Sequence, residues 1–354
     1  MAFSILNLQP LATGSMNKKQ RSTVLQIIIF LALAATLIYW QYNAMDEAQR
    51  RQMMEAMAGV RWIYAVPVLL VGFLSHYFRA MRWRLLMRPL DINTDKANTL
   101  FSVLIGYLVN ALVPRLGEVA KCTILAKYEK VPADKMVGTI LAERAFDMVC
   151  LFVIFGITFL TQYSVISPFA MEMYHKAFFD AAGNFIWLRI VIAAAVLIIG
   201  LIAFIFLYKK IKHTKAGGII KSIGQGLQTV ARIKEKGQFL FFTVMIWVMY
   251  IAMAVLGFYA LPGTDSLPIL AGLSVMAFGS IAMIITPGGV GAFPPIVASI
   301  LFLYGIDLPV GTAYGWVSWA AQTGVVLILG LASLILLPIY NRNKNGQQAT
   351  INRK

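Results

Sequence analysis

The sequence predicts an all-α polytopic membrane protein with about seven to eight transmembrane helices and one or two re-entrant or broken helical hairpins. Two observations carry that prediction. Of 354 residues, 59% are hydrophobic and only 13% are charged, about half the charge of an ordinary soluble domain. The charges also fall in short clusters between long apolar runs. Lys and Arg number 31 against 15 Asp and Glu, a net charge of +16. This composition excludes a soluble enzyme and a disordered chain, and the clustering argues against a nucleic-acid binder.

Met1–Ser15 reads as an appended, non-native segment, followed by a start at Met16 with Lys18, Lys19 and Arg21. Residues 16–340 then form the predicted membrane domain. Its spans are Val24–Tyr42, Trp62–Tyr77, Met136–Leu160, Ile190–Tyr208, Phe239–Leu261, Leu267–Ile285 and Tyr314–Leu337, with shorter apolar pieces at Thr99–Val113 and Phe293–Tyr304. Lys/Arg-rich loops remain cytoplasmic. Arg79, Arg82, Arg84 and Arg88, the loop 209–238 and the tail 341–354 are therefore expected inside. Both termini are then cytoplasmic, in a bacterial inner membrane. In the loop 209–238, Ile220, Ile223, Leu227 and Val230 also suit a helix lying on the inner surface.

Two segments break the pattern. Residues 99–113 lie between basic stretches, so a full crossing would place five basic residues outside. The economical reading is a hairpin over 99–128 that enters from the cytoplasm, turns near Pro114 and returns. The second break is Thr286–Pro295, where three glycines and three prolines interrupt 41 uncharged residues. It leaves open a full plus a short span, or a re-entrant pair from outside. The halves show no clear sequence repeat.

Charge inside a span is costly and points to a protein interior or a water-filled path. Glu143, Arg144 and Asp147 lie within one predicted span. Thr139, Glu143, Asp147 and Cys150 share a helical face, and Arg144 is spaced to pair with Asp147. At the first hairpin tip stand Asn110, Arg115 and Glu118, beside Pro114 and Gly117. Arg115 suits bidentate binding of a phosphate, or pairing with a nearby carboxylate. Gly288, Gly289 and Gly291 offer a hinge or close backbone approach, or a simple turn. Arg79, Arg82 and Arg84, with Trp83, read as an interfacial anchor. The candidate substrate-binding residues are thus Asn110, Arg115, Glu118, Glu143, Arg144, Asp147, Gly288, Gly289 and Gly291. No catalytic residue, metal site or cofactor is expected: two cysteines, three separated histidines and no P-loop supply none.

In order along the chain stand Arg82-Trp83-Arg84-Leu85-Leu86, Pro114-Arg115-Leu116-Gly117-Glu118, Glu143-Arg144 with Asp147, and Pro287-Gly288-Gly289-Val290-Gly291. This ordered set resembles the transmembrane, flippase-like region of lysylphosphatidylglycerol synthases, over roughly residues 62–337. The resemblance implies movement of a lipid between leaflets and not catalysis, since 14 residues after Tyr340 leave no room for a synthase domain. Phe293, Pro294 and Pro295 stand where family members often carry an acidic residue. The expected function is translocation of a phosphate-bearing lipid, with anionic or zwitterionic phospholipids as partners. A second copy or a separate lipid-modifying enzyme are further candidate partners. The rival readings are a small-solute transporter and a non-transporting partner of a lipid- or glycan-modifying enzyme.

Overall fold

A computed structural model describes residues 35–113, 116–179 and 232–351, with isolated positions elsewhere. Residues 35–43 are helical up to Tyr42 and its neighbour. The predicted span Ile190–Tyr208, most of the loop 209–238, the segment 1–15 and the pair Pro114–Arg115 lie outside the described residues.

Ten helices are taken here in chain order: α1 Glu47–Ala58, α2 Ala65–Met87, α3 Lys96–Leu112, α4 Leu116–Glu129, α5 Ala133–Thr161, α6 Tyr163–Phe178, α7 Lys236–Ala260, α8 Ile269–Ile285, α9 Phe293–Phe302 and α10 Leu308–Ile351. Among the described residues three are long and apolar enough to cross a bilayer: α2 with its flanking turns, α7 and α10. Only 33%, 22% and 22% of their most apolar windows are buried within the protein. The remaining apolar surface, such as Leu70, Phe241, Ile328 and Ile335, is left for lipid. Polar side chains turn inward instead: Arg79, Arg82, Lys121 and Glu143 are buried. This is the arrangement expected when the solvent is hydrocarbon. The chain is a helical membrane protein, as its composition indicates.

Local sequence sets the helix ends. Asp95 caps α3 by accepting from the backbone N–H groups of Ala97 and Asn98 at 2.8 and 3.1 Å, satisfying two donors that the first helical turn leaves open. Burial acts to raise the Asp95 pKa. Hydrogen bonds from the Asn98 N–H and from Lys344 outweigh it and hold the carboxyl below its ordinary value. Helix α3 stops at Leu112, just before Pro114, where the residue preceding proline leaves the helical region. Helix α8 ends ahead of Pro287, and α9 restarts with Pro294 and Pro295 in its first turn, where a missing N–H costs nothing. Gly288, Gly289 and Gly291 have φ of 68°, 73° and 76°. Those left-handed values are why glycine occupies this turn.

Helices α3 and α4 pack as an antiparallel hairpin. Its open end is tied where Glu129, closing α4, accepts from the Asp95 backbone at 3.1 Å and from the Asn98 amide. The two arms of the expected hairpin are therefore present on either side of Pro114. The arms have 17 and 14 residues, roughly 26 and 21 Å of helix against a hydrocarbon core of about 30 Å. Helices α8 and α9 form a second hairpin, tied at its open end by Ser274 and Tyr304, whose hydroxyls lie 2.8 Å apart.

The architecture contains a repeat that the sequence does not display. Helices α2, α3, α4 and α5 begin at Ala65, Lys96, Leu116 and Ala133. Helices α7, α8, α9 and α10 begin at Lys236, Ile269, Phe293 and Leu308, that is 171, 173, 177 and 175 residues later. Each half is a long helix, a hairpin and a second long helix. The pairings match as well: α10 packs on α3 of the first hairpin, and α5 packs on α8 of the second. Helices α2 and α7 lie side by side in opposite directions. Arg61, before α2, pairs with Asp265, after α7, at 3.1 Å, and Arg88, after α2, pairs with Glu235, before α7, at 2.5 Å. Two antiparallel copies of one unit result. Their side chains diverged, one set charged and the other apolar, so periodicity in the sequence is lost.

Candidate functional site

Helix α5 carries the charges that define the site. Thr139, Glu143 and Asp147 face α2, as their spacing requires. Thr139 accepts from Trp83 Nε1 at 2.8 Å. Glu143 Oε1 meets Arg79 at 3.1 Å and Arg82 at 3.4 Å, while Glu143 Oε2 meets Lys121 Nζ of α4 at 3.0 Å. Asp147 accepts from Arg79 at 2.8 Å and from Arg82 at 2.5 Å. Arg79 also donates to the Tyr250 hydroxyl of α7 at 3.1 Å. One carboxylate pair thus binds together α2, α4 and α5, with α7 attached through Tyr250.

The expected Arg144–Asp147 pairing is not what the structure contains. Arg144 turns to the other side of α5 and pairs with Glu118 of α4 at 2.8 Å, half-exposed. Asp147 is already engaged by two arginines. Arg79 and Arg82 are likewise not an interfacial anchor: they are 6% and 0% exposed, because α2 runs on to Met87, ten residues past the predicted span end. Their three-residue spacing puts both on the face that meets α5. Arg84 fits the anchor reading better, donating to the Thr94 carbonyl at 2.9 Å near the helix end.

The core cluster does not balance. Arg79, Arg82 and Lys121 oppose Glu143 and Asp147, and Arg144 and Glu118 cancel. Among the described residues one positive charge is left over. Several buried donors also lack a partner among the described residues: Arg79 Nε, and Arg82 Nε and Nη1. Lys121 Nζ stands 4.5 Å from the centre of the Trp83 ring, a cation–π contact that holds the ammonium without neutralising it.

Beside the cluster lies a shallow cleft, open to the surroundings, lined by Val103, Gly106, Tyr107, Asn110, Gly117, Glu118, Lys121 and Arg144. It unites Asn110, Glu118 and Arg144 from the predicted set. Lys121 links it to Glu143 and, through that carboxylate, to Asp147. Gly288, Gly289 and Gly291 do not line it. They sit in the turn of the second hairpin, where the Gly288 carbonyl accepts from Trp319 Nε1 at 2.8 Å. Arg115 falls in the undescribed pair. Sequence reading missed Lys121, Tyr107, Arg79 and Arg82 as members of the site. The available signal was the i, i+3 spacing of Arg79 and Arg82 and the matching i, i+4 spacing of Glu143 and Asp147.

Close backbone approach makes the cleft possible. A Cβ on Gly106 would stand 2.8 Å from Lys121 Cβ, and one on Gly117 would stand 2.6 Å from Asn110 Cβ. Gly117→Ala is therefore expected to splay the hairpin and destabilise the protein by about 1–3 kcal/mol. Thermal unfolding in detergent measures this, and Gly138→Ala, where open space surrounds the position, should be neutral or slightly stabilising.

Comparison with known proteins agrees with the motifs. The family model for the lysylphosphatidylglycerol synthase TM region matches residues 26–330. A UPF0104 membrane protein from Methanothermobacter thermautotrophicus is 22% identical over 349 residues, covering 89% of this chain and 95% of the relative. No solved structure matches. The chain belongs to the family of the lysylphosphatidylglycerol synthase transmembrane region.

Proposed function

We propose that this protein is a membrane lipid translocase that carries a phosphate-bearing headgroup between leaflets and does no covalent chemistry of its own. The observation that carries the reading is the cleft between α3, α4 and α5, with Lys121 and Arg144 at its wall and a surplus positive charge behind it. The cleft is shallow and open to its surroundings, so a headgroup would lie against its charged wall and not be enclosed by it, with acyl or prenyl tails staying in lipid. Arg144 and Lys121 would hold the phosphate by charge-assisted hydrogen bonds. Asn110 and the Tyr107 hydroxyl would take uncharged headgroup oxygens. Glu118 would release Arg144 to the ligand or meet a cationic amine.

In this reading both hairpins are re-entrant, since their arms are shorter than the bilayer core, and the basic ends of α2 and α10 face the cytoplasm of a bacterial inner membrane. Native mass spectrometry of the purified protein tests the ligand class. Phosphate-bearing lipid should remain bound to the wild type and be depleted from a Lys121→Met, Arg144→Ala variant. Equal retention by both proteins, or only phosphate-free lipid on the wild type, would refute the assignment.

A further inference from the structure

The two antiparallel halves each end in a polar tie to the other half, and the ties correspond. At the end carrying Arg88 and Glu235, the first hairpin is fastened to the far end of α10. The Asn98 and Asn341 amides exchange hydrogen bonds of 2.7 and 3.1 Å, the Tyr340 hydroxyl meets Asp95 at 3.2 Å, and Lys344 Nζ meets Asp95 at 3.2 Å. At the opposite end, the second hairpin is fastened to the far end of α5. Tyr304 donates to Gln162 Oε1 at 3.0 Å while its hydroxyl also meets Ser274. The ties correspond element by element, to within about a helical turn: Asn98 and Ser274 lie near the starts of α3 and α8, Glu129 closes α4 and Tyr304 follows α9, and Asn341 and Gln162 belong to the C-terminal stretch of α10 and the cap of α5.

We propose that these two ties are the gates of the translocation path, opening in alternation at opposite faces of the membrane while the charged cleft stays between them. Hydrogen-bonded side chains at a helix end release at low cost once water reaches them. The packing behind each tie differs in kind. A Cβ on Gly330 of α10 would overlap Leu108 of α3, and Ile154 of α5 packs on Leu273, Met276 and Ala277 of α8. Each long helix therefore rests on the opposite hairpin through close apolar contact that permits pivoting, with its polar tie at the rim. Two antiparallel copies of one unit have two related conformations, and exchanging them between the copies moves the opening from one face to the other. The structure has both ties made. The proposal rests on the transport reading but not on the identity of the cargo.

The test uses full-length protein in vesicles, with Cys122 and Cys150 replaced by alanine. A single Asn110→Cys in the cleft reports access to a membrane-impermeant maleimide applied from either face. In separate samples, position 110 is probed before and after cysteines at positions 162 and 304, or at 98 and 341, are joined by a short cleavable cross-linker, with position 110 masked by a reversible disulfide during the joining and unmasked before labelling. With the 162–304 pair joined, position 110 should be labelled only from the face carrying Arg88 and Glu235. Joining 98–341 should restrict labelling to the other face. In proteins that keep Asn110, each cross-link should stop movement of a fluorescent phosphatidylglycerol, and cleavage should restore it. A second variant avoids cross-linking: Ser274→Ala with Tyr304→Phe cuts the outer tie and should increase labelling from that face. Labelling that ignores both cross-links and the double variant would overturn the gates, even if phosphatidylglycerol still moved. Labelling that switches faces without any lipid movement would uphold the gates and remove the lipid cargo instead.

Discussion

Glu143→Ala is expected to be the most destabilising single truncation in the described residues, by about 3–5 kcal/mol. Glu143 is 2% exposed and shared by Arg79, Arg82 and Lys121. Without it, three buried cations face one carboxylate, Asp147. Removing one partner of a buried ion pair costs more than the pair is worth, because the remaining charge stays desolvated. Glu143→Gln keeps the shape and some hydrogen bonding, so its loss should be smaller. Replacing Arg82 by Met together with Glu143 by Gln should recover part of the deficit. Unfolding in mild detergent, followed by helical circular dichroism, measures all three. Equal stability of Glu143→Ala and wild type would mean that the cluster is hydrated and not a structural core.

Arg144→Ala should do the reverse: little harm to the fold and a large loss of headgroup binding. Its pair with Glu118 is half-exposed, at 51% and 37%, and such pairs contribute about 0–1 kcal/mol to stability. Its guanidinium nonetheless lines the cleft. A charge-assisted hydrogen bond to phosphate is worth about 1.5–3 kcal/mol, on the order of tenfold or more in affinity. Lys121→Met removes a second cleft cation but also frees Glu143 from one partner, so it should lower both stability and binding. The contrast between the two variants separates the headgroup role from the structural one. A structural role alone predicts that loss of binding tracks loss of stability.

Much of the fold was legible because the chain meets lipid. Apolar runs marked the helices, and Pro114 and the Pro287–Pro295 stretch marked both hairpin turns. Helix periodicity put Thr139, Glu143 and Asp147 on one face, and the structure agrees. Partner choice was not legible. Arg144 is close to Asp147 in sequence, but α2 supplies two arginines at the right depth, and proximity along the chain loses to packing between helices. Lys121 lay in the returning arm of the expected hairpin, but its burial was not legible, because it depends on Gly106 and Gly117 letting the hairpin arms close. The twofold relation between the halves was invisible for a related reason. The positions of α10 that correspond to the charged turn of α5 carry Trp319 and its uncharged neighbours, so backbone similarity survives where chemistry does not.

Reconstituted liposomes provide the most direct measurement. Vesicles would carry fluorescent phosphatidylglycerol, or a fluorescent glucosyl diacylglycerol that lacks phosphate, and a membrane-impermeant reductant would report arrival at the outer leaflet. The account predicts that wild-type protein accelerates the phospholipid and leaves the glucolipid at the protein-free rate, and that well-folded Arg144→Ala loses the acceleration. No acceleration by the wild type, or undiminished acceleration by Arg144→Ala, would contradict it.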